Sequence, residues 1–534
     1  MTRMHISVSV VLLILSTLAA TFMPLAPARA LSTGWRALTP MLPAFTDISR
    51  VAISPNSQYV VFIADIEEDN RYELYSVPIT GSVPVKLNPP LVAGGNVKSF
   101  LILPDSSGVI YTADQEVDER VELYSVPITG GPAIKLNGPL VSGGNVVDYK
   151  VDANIGRAVY EADQQSNDVF ALYSVPIGGG AFVRLNPALV QGGSVYSFDI
   201  DPVSHRAVYS ADQDTNDLYE LYSVYIPGGP AVKLNPAVSQ SVTDYQIAPG
   251  AAYVMFRAKA VGASAYELYG ITTGGFFLRK RNYALNPGEN VTGFLIGSTG
   301  TISPTGTLVV YGVGTNNTFG WGNLYRADPY TGDSQILMGA GPDFGVSVFS
   351  FTPDGEHIVC EYQQNAASPL KLISVKTSGF PAAQADLFVP DTGHMVNSYR
   401  VSPDSQWVMF EDFDSFGDPT LRAVPTAGGS QVTLGPGALP VITPDSQRVI
   451  YSYPLQSDHS DVISVQIFGG GQRNLSRMHR NGYAYDPHPS PDSQWIVFQA
   501  ELGGGSGPIG YQLRVSDGAE APLVFYIYLP VVQK

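Results

Sequence analysis

The chain has 534 residues, with 47 acidic against 30 basic side chains for a formal charge of −17, and 44% of it is apolar while only 14% is charged. An acidic surface of this kind repels nucleic-acid phosphates and anionic lipid headgroups, which excludes partners of those classes, and the apolar content excludes a disordered chain. A single cysteine, Cys360, excludes an internal disulfide.

Taken in chain order, residues 1–30 come first. Arg3, an uncharged apolar run over about residues 6–20 and the stretch Pro27-Ala28-Arg29-Ala30 predict a secretory signal peptide with an Ala-x-Ala cleavage site. The segment is close to the ~20 residues of a membrane span, so a retained anchor is the alternative. Cleavage near Leu31 removes Arg3 and Arg29 and no acid, leaving 28 basic against 47 acidic residues and a charge of −19. No later stretch is long and apolar enough to cross a bilayer. The expected location is therefore secreted, periplasmic or on the cell surface.

Residues 31–525 are repetitive. The stretch ELYSVPITGG at Glu122 to Gly131 returns as YELYSVPITG from Tyr72, ALYSVPIGGG from Ala171, YELYSVYIPGG from Tyr219 and YELYGITTGG from Tyr266. The shared tyrosines Tyr75, Tyr124, Tyr173, Tyr222 and Tyr269 lie 49, 49, 49 and 47 residues apart. A fixed period of this size marks stacked supersecondary units, each covering its neighbour's apolar face. The unit at 96–137 divides at turn residues into VKSFLIL, GVIYTAD, VELYSVPI and PAIKLN, four short β-rich segments that predict one antiparallel sheet. In its third strand Val121, Leu123 and Ser125 alternate with Glu122, Tyr124 and Val126, so both faces need cover. Pro78, Pro127 and Pro176 lack an amide donor and are placed at the strand's end, where it enters the hairpin.

Beyond Gly275 a second signature persists: SPNSQYVVF from Ser54, LPDSSGVIY from Leu103, SPTGTLVVY from Ser303, TPDGEHIVC from Thr352, SPDSQWVMF from Ser402, TPDSQRVIY from Thr443 and SPDSQWIVF from Ser490. Third-strand segments follow the later copies, and the total is ten units. This Ser/Thr-Pro-Asp pattern, followed by an LYSV-like strand, resembles the PD40 (WD40-like) repeat of TolB-type β-propellers, and the non-catalytic propellers of prolyl-oligopeptidase-type peptidases are similar. The resemblance implies an all-β propeller of about ten four-stranded antiparallel blades, and a Tol-type periplasmic partner. It implies no catalytic group, because the motif is a packing signature.

Ten blades exceed the four to eight usual for a ring. One wide ring or two smaller rings, divided near residues 290–300, are the alternatives, and the similar lengths of 137–160 and 286–311 favour one. Trp35 to Pro40 resembles the fourth-strand segment AIKLNGP and is expected to close the last blade, with Ala521 to Phe525 as rival. Residues 526–534 form a short apolar tail.

In such a propeller the loops between strands two and three, and between strand four and the next blade, share a face. The first set is acidic, with Asp65, Asp114, Asp163 and Asp212 opening ADIEEDN, ADQEVDE, ADQQSND and ADQDTND; the second is glycine-rich. With Trp321 in its own loop, these residues make the expected ligand-binding face. Asp212, Asp214, Asn216 and Asp217 are spaced like the start of a calcium loop but lack its Gly and Glu, so a calcium site competes with ordinary solvated acids. Asp148, Asp199 and Asp244 lie in inner strands and are the channel candidates. Gly504 to Pro508 misses the nucleophile elbow of serine hydrolases at its last position. The histidines show no metal-ligand spacing, and Cys360 reads as a buried apolar residue. The expected function is a non-catalytic binding platform for a protein, peptide or glycan, needing no cofactor. A propeller enzyme (lactonase, lyase or glycosidase) using channel carboxylates or a metal is the alternative, and a purely structural surface repeat protein is the third.

Overall fold

A computed structural model of the protein describes residues 35–516 apart from 43–45, 243, 294–301, 316–322, 340–344, 364–367, 380–381, 457–458, 479–481 and 503–509. Among the described residues the strands form ten four-stranded antiparallel blades, at 48–86, 97–135, 146–184, 195–233, 245–280, 290–338, 345–388, 395–436, 438–474 and 482–516, and one parallel bridge, Ser460↔Tyr483, joins the ninth and tenth into an eight-stranded sheet. The tenth blade has three strands of its own, and Trp35–Ala37 supplies its fourth, in register Trp35↔Ser516 and Ala37↔Arg514. The expected closing segment therefore closes it.

Both faces of each blade are apolar, as the alternation requires. In blade 2, all six residues of Gly108–Ala113 are buried. Val109 and Tyr111 pack toward Val61, Ile63 and Leu74 of blade 1, while Ile110 and Leu123 pack toward Tyr160 and Tyr173 of blade 3. Equivalent clusters join every successive pair of blades. The tenth blade joins the first through Trp495, Val497 and Val515 against Val51, Phe62 and Val77, so the blades form one closed ring. Tyr111, Tyr160 and Tyr209 stack on Tyr124, Tyr173 and Tyr222 at centroid distances of 5.3, 5.3 and 5.5 Å, each pair adding about 0.5–1.5 kcal/mol beyond its buried area.

The Ser/Thr-Pro-Asp turns add a polar link between blades. Ser402 Oγ donates to Asp404 Oδ1 at 2.6 Å and accepts from the Trp407 amide at 2.9 Å, which shapes the turn. Its fourth residue, Ser405, has a left-handed backbone (φ 64°) and a buried hydroxyl that accepts the Asp354 amide of blade 7 at 3.0 Å. Ser446, Ser493 and Ser57 accept in the same way from Asp404, Asp445 and Asp492, at 2.9, 2.9 and 3.1 Å, the last crossing from blade 10 to blade 1.

Third strands end on Pro78, Pro127 and Pro176, as expected. The fourth strand of blades 1–5 is only two residues long, because a side chain takes over its ladder: the Leu123 amide donates to Asn137 Oδ1 at 2.8 Å, with Asn88, Asn186, Asn235 and Asn282 equivalent.

Candidate functional site

The loops after strands two and four share one face of the ring, opposite the Ser/Thr-Pro-Asp turns. Asp65, Asp114, Asp163 and Asp212 immediately follow the second strands there, and all are at most 2% exposed. Each carboxylate holds two amides. Asp212 Oδ1 accepts from Ser194 N at 2.5 Å, at the start of the blade, and Oδ2 from Asp217 N at 3.0 Å, in the loop. Asp65 holds the Asp47 and Asn70 amides, Asp114 those of Asn96 and Glu119, and Asp163 those of Asn145 and Asp168. The loop residues so held, Asn70, Glu119, Asp168 and Asp217, all have φ between 61 and 63°, a left-handed conformation that the buried carboxylate stabilises. The glycine-rich loop presses on the same point: a Cβ on Gly95 would lie 2.7 Å from the Asp114 carbonyl oxygen, which only glycine avoids.

This geometry bears on the calcium loop. Asp214 pairs with Lys233 at 3.1 Å, and Asn216 donates to Asp217 Oδ2 at 2.9 Å. An ion held by Asp212 would have to take oxygens from two backbone amides. Asp212→Ala, which leaves both amides without their acceptor, is expected to lose about 2–4 kcal/mol in urea unfolding, and wild type and variant are expected to respond alike to millimolar calcium. Stabilisation of wild type alone by calcium would place an ion in the loop.

Of the channel candidates, Asp148 and Asp199 lie in first strands and Asp244 immediately precedes one. Asp148 is exposed, Asp199 pairs with Lys150 of blade 3 at 2.9 Å, and Asp244 pairs with Arg257 at 2.5 Å. Among the described residues no group of three or more His, Cys, Asp or Glu is arranged to hold a metal. Sequence reasoning missed Glu161, which is the Cα partner of Asp148 across the sheet. It is 7% exposed. Burial, and then the charge of Asp148, push its carboxyl up to about 7. The same position holds Thr112 in blade 2, bonded to Ser99 at 2.7 Å, and Ser210 in blade 4, bonded to the Val242 carbonyl at 2.9 Å. Only a comparison between copies could have singled it out.

A cavity of about 300 Å³ lies across the first strands of blades 7–9, lined by Phe351, Tyr399, Arg400, Val401 and Val441 among others. On the loop face, Phe416 of blade 8 is 89% exposed, Leu439 of blade 9 is 71% exposed, and Met395, which opens the first strand of blade 8, is 62% exposed. Tyr196 and Tyr219 lie on the same face in blade 4, with ring centroids 5.0 Å apart.

Cys360 is buried in the core, and burial pushes its thiol well above the ordinary range. His488 meets Asp486 at 2.9 Å. Trp321, His479 and Gly504 to Pro508 lie outside the described residues. Among the described residues no helix is long and apolar enough to cross a membrane.

The fold is thus that of an all-β propeller with ten blades, and its polar loops are braced from within. No family model and no curated protein matches the chain. Among solved structures it is similar to a putative TolB from Agrobacterium tumefaciens, at 16% identity over 44% of this chain and 80% of that one, TM-score 0.28. An oligogalacturonate lyase in complex with manganese is similar at 13% identity over 90% and 92%, TM-score 0.36. A prolyl endopeptidase structure is similar at 12% identity over 67% of this chain, TM-score 0.37, and the chain spans 55% of that protein's length. At these identities the likeness is one of fold.

Proposed function

We propose that the protein is a secreted or envelope-located binding platform without catalysis of its own, and that its loop face docks a protein or peptide. The observation that supports this is the exposure of Phe416, Leu439 and Met395 on that face of blades 8 and 9, since large apolar side chains left open together on a rigid scaffold favour protein contact. The net charge of −17 favours a partner that flanks its apolar anchor with basic residues. Immobilised protein is expected to retain such a partner from envelope and culture fractions, and a Phe416→Ser/Leu439→Ser variant to lose about tenfold or more of the capture. Repeated recovery of nothing, or equal recovery by the variant, would count against the reading. A glycan, with the Tyr196 and Tyr219 rings as its platform, is the alternative ligand, and free oligosaccharide competing the capture would favour it.

A second reading is a propeller enzyme, supported by the Asp148 and Glu161 pair. A carboxyl held near 7 is suited to proton transfer at neutral pH. Turnover of a lactone or glycoside that is lost in Glu161→Gln, with the fold intact, would favour it. Failure of every ligand and substrate would leave a structural surface repeat protein.

A further inference from the structure

Four blades carry the same ion group on the loop side of their outer half, its carboxylate buried in blades 1, 2 and 4 and partly exposed in blade 5. Glu73, Glu122, Glu220 and Glu267 open the third strands, and each accepts from the hydroxyl of the tyrosine two residues on, at 2.9, 2.9, 3.3 and 3.4 Å. Each also pairs with a fourth-strand lysine: Lys86 at 3.0 Å, Lys135 at 2.9 Å, Lys233 at 2.6 Å, and Lys280. Blade 3 keeps the tyrosine and the cation in the same register, Tyr173↔Arg184 matching Tyr124↔Lys135. It has Ala171 where the carboxylate belongs.

The vacancy has measurable consequences. A cavity of about 210 Å³ opens beside Ala171, lined by Tyr173, Arg184, Gln165, Val169 and Leu189 among others. The Tyr173 hydroxyl and Arg184 Nε are both buried with no hydrogen-bond partner, and Tyr173 as a whole is 0% exposed. The rest of the guanidinium is fixed, Nη1 donating to Gln165 Oε1 at 2.8 Å and Nη2 to the Pro187 carbonyl at 3.3 Å. Two unmet donors facing a space that holds a carboxylate in sibling blades are costly to leave bare.

We propose that this cavity is a binding site for a short-chain monocarboxylate. One ligand oxygen accepts from the Tyr173 hydroxyl and the other from Arg184 Nε, so the ligand supplies from outside what Glu122 and Glu220 supply from the chain. Val169, Ala188 and Leu189 take the alkyl tail, and the volume limits it to a few carbons. One cation, with Asp163 close enough to act on the Tyr173 hydroxyl, suits a monoanion over a dianion.

The test is calorimetric titration of the whole protein with sodium butyrate, butyramide and sodium chloride. Butyrate is expected to saturate in the millimolar range or below, with butyramide about tenfold or more weaker. Ala171→Glu restores the sibling sequence; it is expected to fold, to raise the urea midpoint and to abolish butyrate binding. Arg184→Gln, with Tyr173→Phe as the milder control, is expected to weaken butyrate about tenfold. Equal affinity for butyrate and butyramide, undiminished butyrate binding by Ala171→Glu, or no saturation of the wild type at about 20 mM would each overturn the assignment, the last leaving water as the group that meets the two donors. None of these outcomes depends on a partner at blades 8 and 9.

Discussion

Deleting residues 1–39 is expected to lower the urea midpoint and to make the protein self-associate. The segment supplies the outer strand of blade 10 through Trp35–Ala37. It also places Leu38, 1% exposed, in the cluster between blades 10 and 1, and Arg36 Nη2 donates to the Ile79 carbonyl of blade 1 at 3.1 Å. Without it, the Trp35 ring no longer covers the Arg514 guanidinium, now 3.4 Å from the ring centroid, and the edge of Gly510–Ser516 lies open. Lost burial of Leu38 and exposure of its neighbours are worth on the order of 3–5 kcal/mol, and an open strand edge is a template for pairing with another chain. Urea unfolding followed by tryptophan fluorescence, with sedimentation to read oligomers, checks both effects. Deletion of residues 1–30 is the control and is expected to change neither. An unchanged midpoint after the longer deletion would mean that another segment fills the strand position, Ala521 to Phe525 being the obvious one.

Glu161→Gln is expected to flatten the pH dependence of stability between about pH 5 and 8. The Glu161 carboxyl is raised from its ordinary 4.5 to about 7, so folding favours its protonated form. That contribution is complete below pH 4.5 and is lost as pH rises through 7, when a buried charge forms beside Asp148. At one pKa unit per 1.4 kcal/mol, the wild type loses on the order of 3 kcal/mol across this window. The amide of the variant cannot ionise. It should therefore match the wild type near pH 5 and exceed it at pH 8 by that amount, read as the difference in urea midpoints at matched salt. An equal difference at both pH values would show that Glu161 does not titrate in this range.

The ring could be anticipated from sequence because its determinants are local and repeated. The 49-residue stride of Tyr75, Tyr124, Tyr173 and Tyr222, the alternation in ELYSVP and the prolines at strand ends all report backbone direction and burial. Trp35 to Pro40 was recognisable as a strand for the same reason. Side-chain fates were less visible, because composition does not say where a polar group points. Asp163 reads as one more acid in a polar loop, yet both its oxygens bind amides. Ser405 reads as turn filler, yet it ties two blades together. Glu161 occupies a position where its siblings carry Thr112 and Ser210, so a repeat-averaged view erases it. Ala171 was in plain sight in ALYSVP, but the absence of one carboxylate acquires meaning only when the donors it leaves unmet are located.

The antiparallel register Trp35↔Ser516 also sets how the molecule can be held. Chain arriving at Trp35 and chain departing from Ser516 both do so from the side of the Ser/Thr-Pro-Asp turns, on a single blade. A label or linker attached at either of these two residues would therefore start from the rear of the ring, the side away from Phe416 and Leu439.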